Sequence, residues 1–192
     1  MSNTDASPEV TVSLEFTPNP NTLKFVVDKV LLEKGAANYT SLEAATNSPL
    51  AQKLFNVEGV QGVMIGHNFI TVTKGDNGDW EKIHQVSVNT ITSHINSGER
   101  VIDESVSSSP VNHAQATGEI ELKIKQILDE EIRPAVAMDG GDITFDKYDD
   151  GVVYLFLQGS CSGCPSSTMT LKMGIETRLK EMIPEIKEVV AI

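Results

Sequence analysis

Between Glu99 and Gly118 the regular alternation of apolar and polar residues in this chain lapses, and that gap limits what it can fold into more than any other feature. The stretch contains Ser105-Val106-Ser107-Ser108-Ser109-Pro110, is poor in apolar residues and follows neither a strand nor a helix period, as a flexible connector does. Patterned sequence lies on both sides of it. A chain of 192 residues divided in this way fits two small domains better than one large one. The expected division is a first domain over residues 8–97, a linker over 98–118 and a second domain over 119–192.

In the first segment Val10, Val12, Leu14 and Phe16 alternate with polar residues, the period of a half-buried strand. Pro18-Asn19-Pro20-Asn21 forces a turn, and Leu23 to Val27 returns as a second strand. Ser48 before Pro49 reads as an N-cap followed by a proline at the first helical position, opening a short helix that Gly59 closes. Val60 to Ile65 and Phe69 to Thr73 form a hairpin around Gly66-His67-Asn68. Asp79 then caps a helix that carries Trp80, Ile83, Ile91 and Ile95 along one face and stops near Gly98.

The second segment opens on a helix with Ile120, Ile124, Ile127, Leu128 and Ile132 at helical spacing, which Pro134 is expected to end or bend. After Asp139-Gly140-Gly141-Asp142 come two strands, Ile143 to Lys147 and Val152 to Gln158, joined through Asp149-Asp150-Gly151. A helix follows Pro165, with Leu171, Ile175 and Leu179 on one side, and an edge strand over 186–192 closes the chain. Each domain is thus an α/β unit of the α+β kind, a small sheet packed with helices. Both share a helix, strand, strand, helix order without a residue-level repeat.

Charge and composition exclude several functions. The formal net charge is -12, against the Lys and Arg surplus that a phosphate backbone demands, so nucleic acid is not an expected partner. No apolar run approaches the roughly 18 residues of a membrane span. The stretch from Met1 to Val10 has neither a basic nor an apolar leader pattern and carries Asp5 and Glu9, which points to the cytoplasm, or to the mitochondrial matrix if a presequence has been removed. Two cysteines are too few for a disulfide scaffold, and in a reducing compartment a Cys-x-x-Cys is metal-binding or redox-active.

Both cysteines lie in Cys161-Ser162-Gly163-Cys164-Pro165, between the second strand and the last helix. With Pro165 as the first helical residue, the two sulfurs are expected near unpaired amides and the positive end of the helix dipole, which favours thiolates. The loop is expected to be exposed and outside the core. Two thiolates cover half the coordination of a tetrahedral zinc or a four-iron cluster. A second copy of the chain is the economical source of the other half. The same residues suit a dithiol-disulfide oxidoreductase, although redox motifs of that kind follow an early strand of a βαβ unit rather than a hairpin near the end of the chain. Structural zinc bridging two chains is a third reading.

Asp139-Gly140-Gly141-Asp142-Ile143, then Gly159-Ser160-Cys161-Ser162-Gly163-Cys164-Pro165-Ser166-Ser167-Thr168 with Leu171, Gly174, Ile175 and Glu176, resemble the C-terminal domain of NifU and the Nfu iron–sulfur scaffold and carrier proteins. Glu15-Phe16-Thr17-Pro18-Asn19-Pro20-Asn21-Thr22-Leu23-Lys24-Phe25 is similar to the N-terminal domain of Nfu proteins. The resemblance implies that Cys161 and Cys164 bind a labile cluster, 4Fe-4S in type, shared by a homodimer. It further implies a carrier, not an enzyme, that receives clusters from upstream donors and delivers them to apo iron–sulfur acceptors.

Other constellations carry less. Asp139, Asp142, Asp146, Asp149 and Asp150 lack the spacing of a calcium loop and suit turn chemistry, and the Asp139 to Asp142 turn has no chemical role legible in the sequence. His84 and His94 lie too far apart on one helix to pair as ligands, His67 sits in a turn and His113 in the linker. Met138, Met169 and Met173 read as packing residues. No Ser-His-Asp set or paired carboxylates stand out, and Gly140-Gly141 lacks the Lys of a phosphate loop.

Overall fold

A computed structural model describes residues 10–103, 118–162 and 165–192 of the chain. Two compact units make it up, one around a five-stranded sheet and the other around a three-stranded sheet. Each sheet is packed with helices, the α+β architecture that the patterning implies.

The first unit comprises strands β1 (Val12–Phe16), β2 (Thr22–Val27), β3 (Ala37–Tyr39), helix α1 (Pro49–Phe55), β4 (Val60–Ile65), β5 (Phe69–Lys74) and helix α2 (Trp80–Asn96). The strand order is β1-β2-β5-β4-β3. Phe25, Leu50, Leu54, Ile65, Ile70, Ile83 and Ile91 fill the core at essentially zero exposure. Strand β3 escaped the sequence pattern because it is only three residues long, too short to establish a period. It adds to the edge of the hairpin through Ala37 opposite Ile65 and Tyr39 opposite Val63.

Ser48 caps α1 as its position before Pro49 implies, accepting a hydrogen bond from the Ala51 N–H at 3.1 Å. Its hydroxyl also donates to the Val101 carbonyl at 2.7 Å, and the Asp103 N–H donates to the Asn47 carbonyl at 2.7 Å. Val101 packs on the core of this unit. The start of the expected linker is therefore strapped onto the cap of α1, whereas residues 104–117 lie outside the described residues.

The second unit begins with α3 (Glu119–Ile127), a five-residue π turn (Leu128–Ile132) and α4 (Arg133–Met138). Pro134 does not end this helix. A proline has no N–H to give to the carbonyl one turn back, and here the preceding backbone widens so that the Arg133 N–H donates to the Leu128 carbonyl five residues earlier. Strand β6 (Gly141–Asp149), strand β7 (Val152–Gly159), helix α5 (Pro165–Met182) and strand β8 (Glu188–Ala191) follow. Asp150 and Gly151 both adopt positive φ, 43° and 89°, as the tight turn between β6 and β7 requires. Strand β8 returns parallel to β7 at the sheet edge. Ile124, Leu128, Ile143, Val153, Leu155, Ile175 and Leu179 form the core.

Because Ser48 is buried and serves both as cap and as strap donor, Ser48→Ala is expected to cost about 1–2 kcal/mol of unfolding free energy. Urea denaturation followed by circular dichroism measures it, and an unchanged midpoint would contradict the double role.

Candidate functional site

The end of β7 and the start of β6 are brought side by side by the hairpin register, which sets Gly141 opposite Gly159. Gly159, at φ 62°, turns the chain out of the strand. The next three residues are fastened down. The Ser160 N–H donates to the Gly140 carbonyl at 3.1 Å, and the Ser160 hydroxyl donates to the Asp139 carbonyl. The Cys161 N–H donates to the Gln158 carbonyl at 3.3 Å, and both the N–H and the hydroxyl of Ser162 reach the Gly159 carbonyl, at 3.1 and 2.8 Å. From α5 the Thr168 hydroxyl donates to the Cys161 carbonyl at 3.1 Å.

Cys161 is only 6% exposed and belongs to the core of the second unit. This corrects the expectation of an exposed loop outside the core. The physical reason is Gly141: a Cβ built on it would lie 2.1 Å from Cys161 Sγ, so the sulfur fills the space that a side chain there would need. The expectation of a ready thiolate is corrected as well. Burial pushes the Cys161 thiol up to about 11, with the carboxylates of Asp139 and Asp142 adding to the rise and a hydrogen bond with Ser160 opposing it. Cys164, the other expected ligand, lies outside the described residues, as does Gly163.

The Asp139 to Asp142 turn, for which the sequence offered no role, is the platform on which the cysteine loop rests. Asp142 itself is buried and turns its carboxylate to Arg133, with Nε–Oδ1 and Nη2–Oδ2 distances of 2.8 and 2.9 Å. Arg133 Nη1 also reaches Asp129 Oδ1 at 2.9 Å, one helical turn away. The guanidinium is held firmly charged by these contacts, chiefly the one with Asp142. Asp129 and Arg133 four residues apart was the available sequence signal. It gives no hint that the guanidinium continues to the Gly-Gly turn.

The remaining acidic residues behave as turn and surface groups where the structure pairs them, as in Lys187 Nζ to Asp150 Oδ1 at 3.2 Å. Among the described residues no three His, Cys, Asp or Glu side chains gather in a way that could hold a metal ion. His67 hydrogen-bonds the Leu32 carbonyl, His84 stacks on Phe25, and His94 is buried against Lys53 and the Arg100 carbonyl. Met138, Met169 and Met173 are 77%, 65% and 65% exposed, not packed as expected. Among the described residues no helix is long and apolar enough to cross a membrane.

Two family models match the chain: the scaffold protein Nfu/NifU N-terminal model over residues 12–98 and the NifU-like domain over residues 124–190. A human protein named "NFU1 iron-sulfur cluster scaffold homolog, mitochondrial" is 41% identical over 179 residues, covering 93% of this chain and 70% of its own length. The protein of the same name from Drosophila grimshawi is 42% identical over 179 residues, 93% of this chain and 60% of its own length, so the chain spans less than two thirds of that relative. Among solved structures, a NifU-like protein from Saccharomyces cerevisiae aligns with 54% of this chain and 93% of its own at 25% identity, with a TM-score of 0.47.

The buried sulfur makes a direct prediction. In a Cys164→Ser background, alkylation of Cys161 by iodoacetamide is expected to be slow at pH 7 and to rise about tenfold per pH unit toward about 11, because only the thiolate reacts. Gly141→Ala should raise the rate at pH 7 by displacing the sulfur from its seat. Rapid alkylation of the unsubstituted site at neutral pH would contradict the burial.

Proposed function

The chain belongs to the Nfu/NifU family, whose relatives are named iron–sulfur cluster scaffolds, and on that premise we propose that it carries a labile cluster between two copies of itself and passes it to apo-proteins. The proposed ligands are Cys161 and Cys164. One observation carries the reading: the chain has two cysteines in all, both in one pentapeptide, and the first is fixed at the end of β7 on the Gly140-Gly141 platform. Each chain then offers two sulfurs to a cluster that takes four. A cluster of the 4Fe-4S type held by a homodimer satisfies that count, with two thiolates from each protomer.

The same burial explains why such cargo would be held loosely. To ligate iron, the Cys161 sulfur must lose its proton and move off the Gly141 seat. A sulfur displaced by an acceptor thiolate can return to that seat, where the neutral thiol is favoured. Retreat into the core thus competes with ligation, and acceptor thiolates replace the carrier's one after another. A dithiol-disulfide oxidoreductase calls for the opposite, an exposed sulfur with a lowered pKa. Nothing in this reading requires the chain to be an enzyme.

The proposed division of labour gives residues 119–192 the cluster and residues 8–97, in which no cysteine occurs, the recognition of upstream donors or acceptors. A compartment that keeps thiols reduced suits both, whether the cytoplasm or the mitochondrial matrix.

Anaerobic reconstitution with iron and sulfide tests the ligand assignment. The unaltered chain is expected to take up iron and show broad visible absorption, while Cys161→Ala and Cys164→Ala each lose more than nine tenths of both. Retained iron in either variant would contradict the assignment.

A further inference from the structure

We propose that Arg133 is a positioning residue for the bound cluster: it offsets part of the charge of Asp142 beside the cysteine loop and so weakens that carboxylate's opposition to the ligating sulfur. This rests on the cluster-binding reading above and names a device within the same site. Asp142 directly follows Gly141, the residue on which the Cys161 sulfur sits. The Asp142 side chain is only 9% exposed, so water does little to screen it.

Four thiolates leave a bound cluster with net negative charge, and a further buried anion nearby would favour its loss. Both carboxylate oxygens of Asp142 are taken by one guanidinium, through Nε and Nη2. The fork geometry fixes where the charge lies as well as its sign. The other arginine described in this unit, Arg178, pairs with Glu131 and Glu181 at the exposed surface, where such pairs matter little.

The backbone places Arg133 for this task. It stands immediately after the π turn, whose wider winding changes the direction in which the following side chains leave the helix, and such turns recur at functional sites. Asp129, on the same turn, holds the third guanidinium nitrogen. Asp139 also bears on the sulfur but is exposed, so solvent screens it and it needs no dedicated cation.

Two single variants separate a charge-balancing role from a merely structural tie, because Arg133→Gln and Asp142→Asn break the same ion pair while changing the local charge in opposite directions. The measurement is the lifetime of the reconstituted cluster against an iron chelator under anaerobic conditions, with the reduction potential of the loaded protein as a second readout. Arg133→Gln is expected to shorten the lifetime on the order of tenfold and lower the potential. Asp142→Asn should leave the lifetime unshortened and raise the potential, and the double variant should return both toward the starting values.

Arg133→Lys, which keeps the charge and loses the fork, should retain the cluster longer than Arg133→Gln. Equal shortening in both single variants would overturn the inference while leaving the carrier reading intact, as would a Lys variant no better than Gln. Should Arg133→Gln fail to fold, a shortened lifetime in Asp142→Asn overturns it alone. An unaltered protein that takes up no cluster overturns the carrier reading, and this inference with it.

Discussion

The contact on which the rest of the second unit depends is the seating of the Cys161 sulfur against the bare Cα of Gly141. Because no side chain occupies position 141, the end of β7 can lie close to the start of β6, and the sulfur becomes part of the core rather than an exposed hook. The backbone of the Asp139 to Asp142 turn then receives the loop through the Ser160 N–H and hydroxyl. A sulfur that rests inside a core in this way is shielded from solvent and largely protonated, and the proposed ligation of iron requires it to be drawn out.

That arrangement places a demand on the neighbouring helix. A turn lying close to a sulfur and flanked by two aspartates would be electrostatically hostile to a thiolate without a cation, and Arg133 is the cation aimed at the buried member of the pair. Its aim follows from Pro134: the missing N–H of a proline favours local rewinding, and the π turn gives the helix a way to continue without breaking. Local backbone chemistry in α3 and α4 is thus connected to the environment of a residue at the far end of the β6–β7 hairpin.

Much of this architecture was legible in the sequence. Alternation marked β1, Gly66-His67-Asn68 marked the β4–β5 hairpin, Ser48-Pro49 marked the start of α1, and Asp150-Gly151 marked the tight turn between β6 and β7, because each is a local signal with a local cause. Strand β3 was too short to show a period, and Pro134 looked like a terminator because its effect on the backbone depends on whether the helix can widen. The cysteine motif was conspicuous, yet the burial of Cys161 was not. Burial of the sulfur is created by a glycine twenty residues earlier, which contributes only an absence of side chain. Arg133 and Asp142 were invisible as a pair for the same reason: their meeting is made by the turn between a helix and a strand and not by any repeat in the sequence.

The central claim, that each chain supplies half of the sulfur ligands of a shared cargo, is tested most directly by native mass spectrometry of the anaerobically reconstituted protein. The account predicts that intact cluster appears only on species with the mass of two chains, and that chelation returns those species to metal-free protein. A single chain carrying a complete four-iron cluster would contradict it.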